Sequence, residues 1–316
     1  RVVGHRVVHG GSVYDGPVKI TPKVLKTIKE LSSLAPLHNP ANAVGVEVAT
    51  SLFPNAMQVA VFDTAFHQSL PKKAFNYAIP RELALKNKIR AYGFHGTSHK
   101  YVSERAIAHL ANSRANIISI HLGNGCSITA LKHGKSVEHS LGFGPSNGLI
   151  MGTRSGDIDQ SLIFHLIDSL GYQPKQVNTM LQKESGLLGL TGYSDFRDVL
   201  KSAEKGDDNC ILALEMTAHR IKKYIGAYAT ILNGLDAIVF TAGIGENAPF
   251  LRKLVCTHMD ILGIALDSSK NEKAIGLDAI SEIQHKNSKV KVLVIPTDEE
   301  YEIAKQSYHL VSENPF

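Results

Sequence analysis

The sequence predicts an α/β protein, and three observations carry the prediction. Strand-like apolar runs alternate with stretches of helical periodicity. Twice, at 117–125 and 237–247, such a run ends in a glycine turn. At 316 residues the chain is long enough for two domains sharing a cleft. No fixed-period repeat and no low-complexity tract breaks the pattern.

The chain begins as a strand already in progress, Arg1 to His9, which Gly10-Gly11 ends. Thr21-Pro22 then supplies an N-cap followed by proline at the first helical position. Val24, Leu25, Ile28, Leu31 and Leu34 follow at helical spacing. Pro36-Leu-His-Asn-Pro40 reads as a rigid connection. Val59-Ala-Val-Phe62 is a short buried strand ending at Asp63. Open α/β sheets put their chemistry at the carboxyl ends of strands, so Asp63 is a candidate acid, against the simpler job of capping a turn.

Tyr92-Gly-Phe-His-Gly-Thr-Ser-His99 runs into a helix through Val102, Ala106 and Leu110, with Thr97 or Ser98 as its N-cap. His95 and His99 stand four apart, a zinc-compatible spacing on one helical face, but no third ligand is evident. Asn116 to Leu122 is a buried strand that meets Gly123-Asn-Gly125. Glycine lets backbone N–H groups approach an anion closely, so this turn is either a phosphate cradle or an ordinary hairpin turn. A second strand, Cys126 to Leu131, a turn at Lys132–Lys135 and a third, shorter strand follow.

Arg154 sits in a glycine-flanked loop, Met151 to Asp157, before an amphipathic helix with Ile158, Leu162, Ile163, Leu166, Ile167 and Leu170 on one face and Gly171 as its C′ residue. An arginine there either binds an anion or pairs with Asp157 or Asp159. A long helix from about Asn209 to Leu232 closes at Asn233-Gly234. The strand Ala237 to Phe240 then enters Thr241-Ala-Gly-Ile-Gly-Glu-Asn247, a glycine turn followed by a helix. Its G-x-G lacks a third glycine and a distal acid, so a mononucleotide suits it better than a dinucleotide. Val290 to Ile295 is the last strand. Thr297 and Glu300 form a capping box for the last helix. Glu299 is left either to hold a metal, directly or through water, or to complement the helix dipole.

Composition, 43% hydrophobic and 20% charged, is that of a globular protein. No apolar run is long enough for a bilayer, and the expectation is no membrane association and no signal peptide. Cys126, Cys210 and Cys256 are far apart and lack metal spacing, as reduced thiols of a cytoplasmic protein would be. The formal charge of +5 suits a small anionic substrate and is too diffuse for nucleic acid.

The motifs together resemble the acetate kinases, the acetokinase branch of the actin, sugar-kinase and chaperone ATPase superfamily. The blocks that carry the resemblance are Val3–Gly11, Ala35–Pro40, Val61–His67, Tyr92–His99, His121–Gly125, Met151–Asp157, Glu184–Gly189, Gly243–Asn247 and Pro296–Glu300. The resemblance implies a two-domain actin-like ATPase fold with an interdomain cleft. Its first, acyl-side domain would be residues 1–64 plus 298–316, and its second, nucleotide-binding and dimerising domain residues 65–297. It implies reversible phosphoryl transfer between ATP and acetate, giving ADP and acetyl phosphate, with Mg²⁺, in a homodimer.

By the same resemblance, Asp63, His95 and Arg154 are catalytic, and Arg6 holds the acyl carboxylate with Val8, Leu37, Phe94 and Pro145 as the apolar pocket. His121, Leu122, Gly123, Asn124 and Gly125 contact phosphate. Asp195, Phe196 and Arg197, with Gly243, Ile244, Gly245, Glu246 and Asn247, hold the adenosine. Glu299 matches the magnesium ligand. Valine at position 8 argues for acetate, because propionate-preferring relatives have a smaller residue there. The alternatives are a propionate kinase and a non-metabolic, chaperone-like ATPase. The family also opens with a strand and an Asn-x-Gly-Ser-Ser-Ser loop that are not in this sequence. The first domain is therefore expected to be incomplete, either because the molecule starts at Arg1 or because its parent's start is not represented.

Overall fold

A computed structural model describes residues 1–36 and 38–313. The chain divides into two compact units, one of Arg1–Ser113, Lys132–Pro145 and Thr297–Phe316, the other of Arg114–Leu131 and Ser146–Pro296.

The first unit is built on a three-stranded sheet in which the strand Met57–Phe62 lies between Val2–Val7 and the short strand Val18–Lys19. Val2–Val7 runs parallel to Met57–Phe62, with Arg6 opposite Val61 and Val7 opposite Phe62. The core beneath is Val7, Ile28, Ala43, Ala60 and Phe62, with Tyr14 stacked on Phe62 at 4.7 Å. Thr21 caps the helix Pro22–Glu30 as its Thr-Pro pair predicts. The segment read as a rigid connection at 36–40 instead opens a helix, Asn39–Leu52, because Pro40 occupies its first turn, where proline is tolerated. Leu37 lies outside the described residues.

The helix Glu299–Glu313 packs on the first strand so closely that a Cβ on Gly4 would sit 2.7 Å from Ser307 Oγ. Its cap is not the Thr297–Glu300 box. Asp298 Oδ1 accepts from Tyr301 N at 2.8 Å, and Thr297 Oγ1 is bonded to Ser98 Oγ. Fully buried Glu302 ties this helix to Gly96–Leu110 through Lys100 Nζ at 2.6 Å.

The second unit carries its strands in the order Cys126–Lys132, Asn116–Leu122, Ala237–Thr241, Lys291–Val294, Ser281–Glu282. The central strands are parallel and, past Asn116 and Lys291 at two of their starts, buried, which is why they read as apolar runs rather than alternating ones. The helix Asp208–Leu232 ends with Asn233 in the left-handed conformation, as the Asn-Gly pair predicts.

The expected amphipathic helix after Arg154 is shorter and irregular. It runs Gln160–Phe164 and continues as a π-helical turn, His165–Ser169. Its apolar residues are not core: Phe164 is 62% and Leu170 58% exposed.

Candidate functional site

In the first unit, two parallel strands end side by side and present one charge each. Arg6 leaves the end of Val2–Val7, and Asp63 follows Phe62 at the end of its neighbour. The Arg6 guanidinium grips the Asp63 carboxylate with two nitrogens, Nη2 to Oδ2 at 2.8 Å and Nε to Oδ1 at 3.0 Å. Asp63 is 1% exposed, so the pair is anchored from the acid's side. The Asp63 charge in turn raises the Arg6 pKa above its ordinary value. Asp63 is therefore not a turn cap.

Glu299, at the first turn of its helix, points its Oε2 to within 3.7 Å of Arg6 Nη2. That oxygen is buried and makes no hydrogen bond. Burial raises the Glu299 pKa, Arg6 opposes the rise and Asp63 adds to it. Among the described residues no cluster of three or more His, Cys, Asp or Glu side chains forms a complete metal cage. Two carboxylates, one with an unbonded oxygen, are nevertheless the donor set that Mg²⁺ accepts, since that ion keeps water and substrate phosphate as its other ligands. The residues fit the ion.

The Phe94–Gly96 segment is fixed against the same place. Gly96 N donates to the Asp63 carbonyl at 3.0 Å. A Cβ on Gly96 would lie 2.1 Å from that carbonyl oxygen, so no other residue allows this approach. The helix begins at Gly96, and its cap is His95 itself in the left-handed conformation (φ 55°), not Thr97 or Ser98. His95 thus precedes the helix that carries His99. Of the expected acyl pocket, Phe94 is buried, Val8 and Pro145 are half-buried, and Val8 N is held by Asn42 Oδ1 at 3.1 Å.

In the second unit the two glycine turns are neighbours, because His121 at the end of one strand pairs with Thr241 at the end of the next. Between them opens a cavity of about 570 Å³ lined by Gly123, Asn124, Gly243, Ile244 and Asn247, and across it by Asp195, Phe196 and Arg197. Leu122 also lines it, whereas His121, Gly125, Gly245 and Glu246 do not. Asn124 lies against Gly152, where a Cβ would meet its Oδ1 at 2.2 Å. The second turn is not a loop but the helix Ala242–Asn247, entered through a positive φ of 64° at Ala242.

Arg154 belongs to this unit. Five residues separate Arg154 from the next helix, so it is not at a helix N-terminus, and Asp159 caps that helix by accepting from Ser161 N. Asp157 is engaged by Gly148 N, by Tyr224 Oη at 2.7 Å and by Arg220 at 3.8 Å. The loop is held from below, since the Gly186 backbone approaches the carbonyls of Met151 and Arg154. Burial lowers the Arg154 pKa, and its Nη1 contacts Met151 Sδ at 3.5 Å.

Sequence reasoning missed Arg252. This fully buried side chain places all its donors on oxygens: Nη1 on the carbonyls of Gly245 and Glu246, Nη2 on those of Asn271 and Ala274, Nε on Asn271 Oδ1, each at 2.8 Å. The signal was an arginine between Leu251 and Val255 on the buried face of the helix Pro249–Cys256. Ser194, Met151 and Leu251 also line the cavity and were not singled out.

Fold and sites together define a mixed α/β enzyme with an actin-like ATPase fold. The solved acetate kinase of Porphyromonas gingivalis matches 98% of this chain and 78% of its own at 45% identity and TM-score 0.94. A solved propionate kinase from Francisella tularensis matches 98% and 79% at 47% identity and TM-score 0.93. An acetate kinase of Flavobacterium johnsoniae is 60% identical over 309 residues, 98% of this chain and 78% of that protein. The chain belongs to the Acetokinase family, whose model matches residues 1–305.

Proposed function

We propose that the chain catalyses reversible phosphoryl transfer between ATP and acetate, giving ADP and acetyl phosphate. The observation that carries this reading is the Arg6 fork, oriented by buried Asp63, with an unbonded Glu299 oxygen beside it. Family membership supplies the substrate class. Phosphoryl transfer needs positioned positive charge around the equatorial oxygens and little covalent help.

In this reading Arg6 binds the acetate carboxylate, and Val8, Leu37, Phe94 and Pro145 enclose its methyl group. Asp63 orients Arg6, and His95 and Arg154 stabilise charge on the phosphoryl group in transit. Guanidinium serves because it stays charged and forks onto oxyanions. The ATP phosphates lie on the turn His121–Gly125, and the adenosine lies among Asp195, Phe196, Arg197 and the segment Gly243–Asn247. Glu299 and Asp63 are the residues that would hold Mg²⁺, which would supply positive charge to offset that of the phosphates. Residues 1–64 plus 298–316 would form the first, acyl-side domain and residues 65–297 the second, nucleotide-binding domain, which also supplies Phe94, His95 and Pro145 to the acceptor.

The same reading has the protein working in the cytoplasm as a homodimer through the second domain. Exposed Leu162, Phe164 and Leu170 are apolar surface that suits a second copy. No described helix is long and apolar enough to cross a membrane.

The test is acetyl phosphate formation from ATP, acetate and Mg²⁺, trapped as the hydroxamate. Arg154→Ala should lower kcat by about 10³-fold or more, on the scale of losing an arginine that stabilises the transferring group. ATP hydrolysis that ignores acetate and yields no acetyl phosphate would instead identify a non-metabolic ATPase.

A further inference from the structure

Three histidines of the first unit are buried together. The ring centroids of His67 and His139 lie 4.1 Å apart, with His99 5.8 Å and 5.4 Å from them. Two of these rings act on one residue. His67 Nε2 lies 2.9 Å from the Phe94 carbonyl oxygen, which can only accept, so that nitrogen carries a proton. Its Nδ1 is 2.8 Å from Ser136 Oγ, whose hydroxyl then donates to it. Phe94 N donates to His139 Nε2 at 3.1 Å, so that nitrogen carries none. Both backbone groups of Phe94 are therefore satisfied by imidazoles, and neither by a helix or strand.

The segment they hold is one that would not hold itself. Gly93 has φ 75° and His95 has φ 55°, so the chain passes through the left-handed region on both sides of Phe94. For a residue with a Cβ, that conformation is costly and persists only where the surroundings over-determine it. The His67 ring is packed under this turn, since a Cβ on Gly93 would meet it at 2.7 Å. Burial depresses the His67 pKa to about 4, which keeps the ring neutral in the working range.

We propose that His67 and His139 are positioning residues for the acceptor side of the reaction, a pair of neutral imidazoles of opposite tautomer that clamp the Phe94 peptide and through it set His95. The proposal rests on the reading of Phe94 and His95 given above and adds two residues to it that touch no substrate. Glutamine can imitate either ring, because its amide offers an N–H donor for the Phe94 carbonyl or an oxygen acceptor for the Phe94 N–H. Leucine fills the space and does neither.

The experiment compares His67→Leu, His67→Gln, His139→Leu and His139→Gln in the full chain. The leucine variants should lose about 10- to 100-fold in kcat, the range found for groups that orient an active residue. They should raise the acetate KM and leave the ATP KM within about twofold of its original value, while glutamine restores most of the loss. Histidine-selective ¹⁵N NMR of the unaltered protein should show the Nε2–H tautomer at His67 and the Nδ1–H tautomer at His139. Leucine variants with unchanged kcat and acetate KM, equal rises in both KM values, or the reverse tautomers overturn the clamp. The NMR measurement decides the matter even where a variant does not fold. His95→Ala separates the two levels: full activity there removes the role given to His95, whereas an inactive His95→Ala beside a fully active His67→Leu removes the clamp alone.

Discussion

Arg6 and Asp63 form a two-pronged ion pair across the ends of adjacent parallel strands, with Nη2 2.8 Å and Nε 3.0 Å from the carboxylate. The pair aims a guanidinium that is itself 44% exposed on its side chain and so available to an anion. Arg6→Ala should lower kcat by about 10³-fold or more, the scale of arginine-finger losses. Asp63→Asn keeps the shape but weakens the grip, and a loss of about 10- to 100-fold is expected. Steady-state hydroxamate assays of both variants check this. Normal turnover in Arg6→Ala would sink the assignment.

Glu299 offers the second test. Its Oε2 is buried, 3.7 Å from Arg6 and without a hydrogen bond, and in the proposed reading it is a ligand of Mg²⁺. Glu299→Gln should raise the Mg²⁺ concentration for half-maximal rate by about 10-fold or more, with the rate recovered at saturating metal. An unchanged metal titration would leave Glu299 as a helix-terminus acid.

How much of this was readable in the sequence depended on the kind of cause. The parallel strands were legible because burial on both faces writes an unbroken apolar run, as in Ala237–Thr241. Thr21-Pro22 and Asn233-Gly234 were legible because their caps use local chemistry. The cap at His95 was not, since its left-handed turn accompanies Gly96 closing on the Asp63 carbonyl, 33 positions back in the chain. The helix at Asn39 is not legible because Pro36 and Pro40 together read as a rigid connection, whereas Pro40 sits in the first turn of the helix. The Phe164 helix was misjudged because an apolar periodicity predicts a face that wants covering, not what covers it. Arg252 escaped because a charged residue in an apolar helix face reads as noise until its five acceptors are seen.

Two buried imidazoles give the fold a pH dependence of definite sign. Burial holds His9 and His67 at about 4, against an ordinary value of 6.5. The folded state then binds fewer protons than the unfolded state between those limits, so stability is complete above about 6.5 and falls as pH drops towards 4. Each ring contributes on the order of 3 kcal/mol over that window, at 1.36 kcal/mol per unit. Urea midpoints measured at pH 7, 6 and 5 should fall progressively, and His67→Gln should flatten the slope. A midpoint that does not change over this range would contradict the neutral, buried state of both rings.

Arg252 is expected to act on the nucleotide side without touching nucleotide. Its Nη1 holds the carbonyls of Gly245 and Glu246, directly behind the cavity wall formed by Gly243, Ile244 and Asn247. Arg252→Met leaves five acceptor contacts unmade and should cost roughly 3 kcal/mol or more of stability, since each buried unsatisfied group costs about 1–3. At a temperature where the variant remains folded, the ATP KM should rise about 10-fold or more and the acetate KM should not. Equal changes in both constants would make Arg252 a general structural residue.

In the proposed reading, Val8 sets the size of the acyl group. It is half-buried, and its backbone N–H is fixed by Asn42 Oδ1 at 3.1 Å, a bond that any side chain at this position keeps. Val8→Ala therefore removes two methyl groups without releasing the strand, which opens about the space that one further methylene of the substrate needs. A single methylene is worth about 1–3 kcal/mol in such a pocket, or 10- to 200-fold in kcat/KM. The ratio of propionate to acetate kcat/KM should accordingly rise by about tenfold or more in the variant, with propionate the poorer substrate in the unaltered protein. Competing the two acids at fixed ATP measures it. An unchanged ratio would place Val8 away from the acyl group and return the choice between acetate and propionate to Phe94 and Pro145.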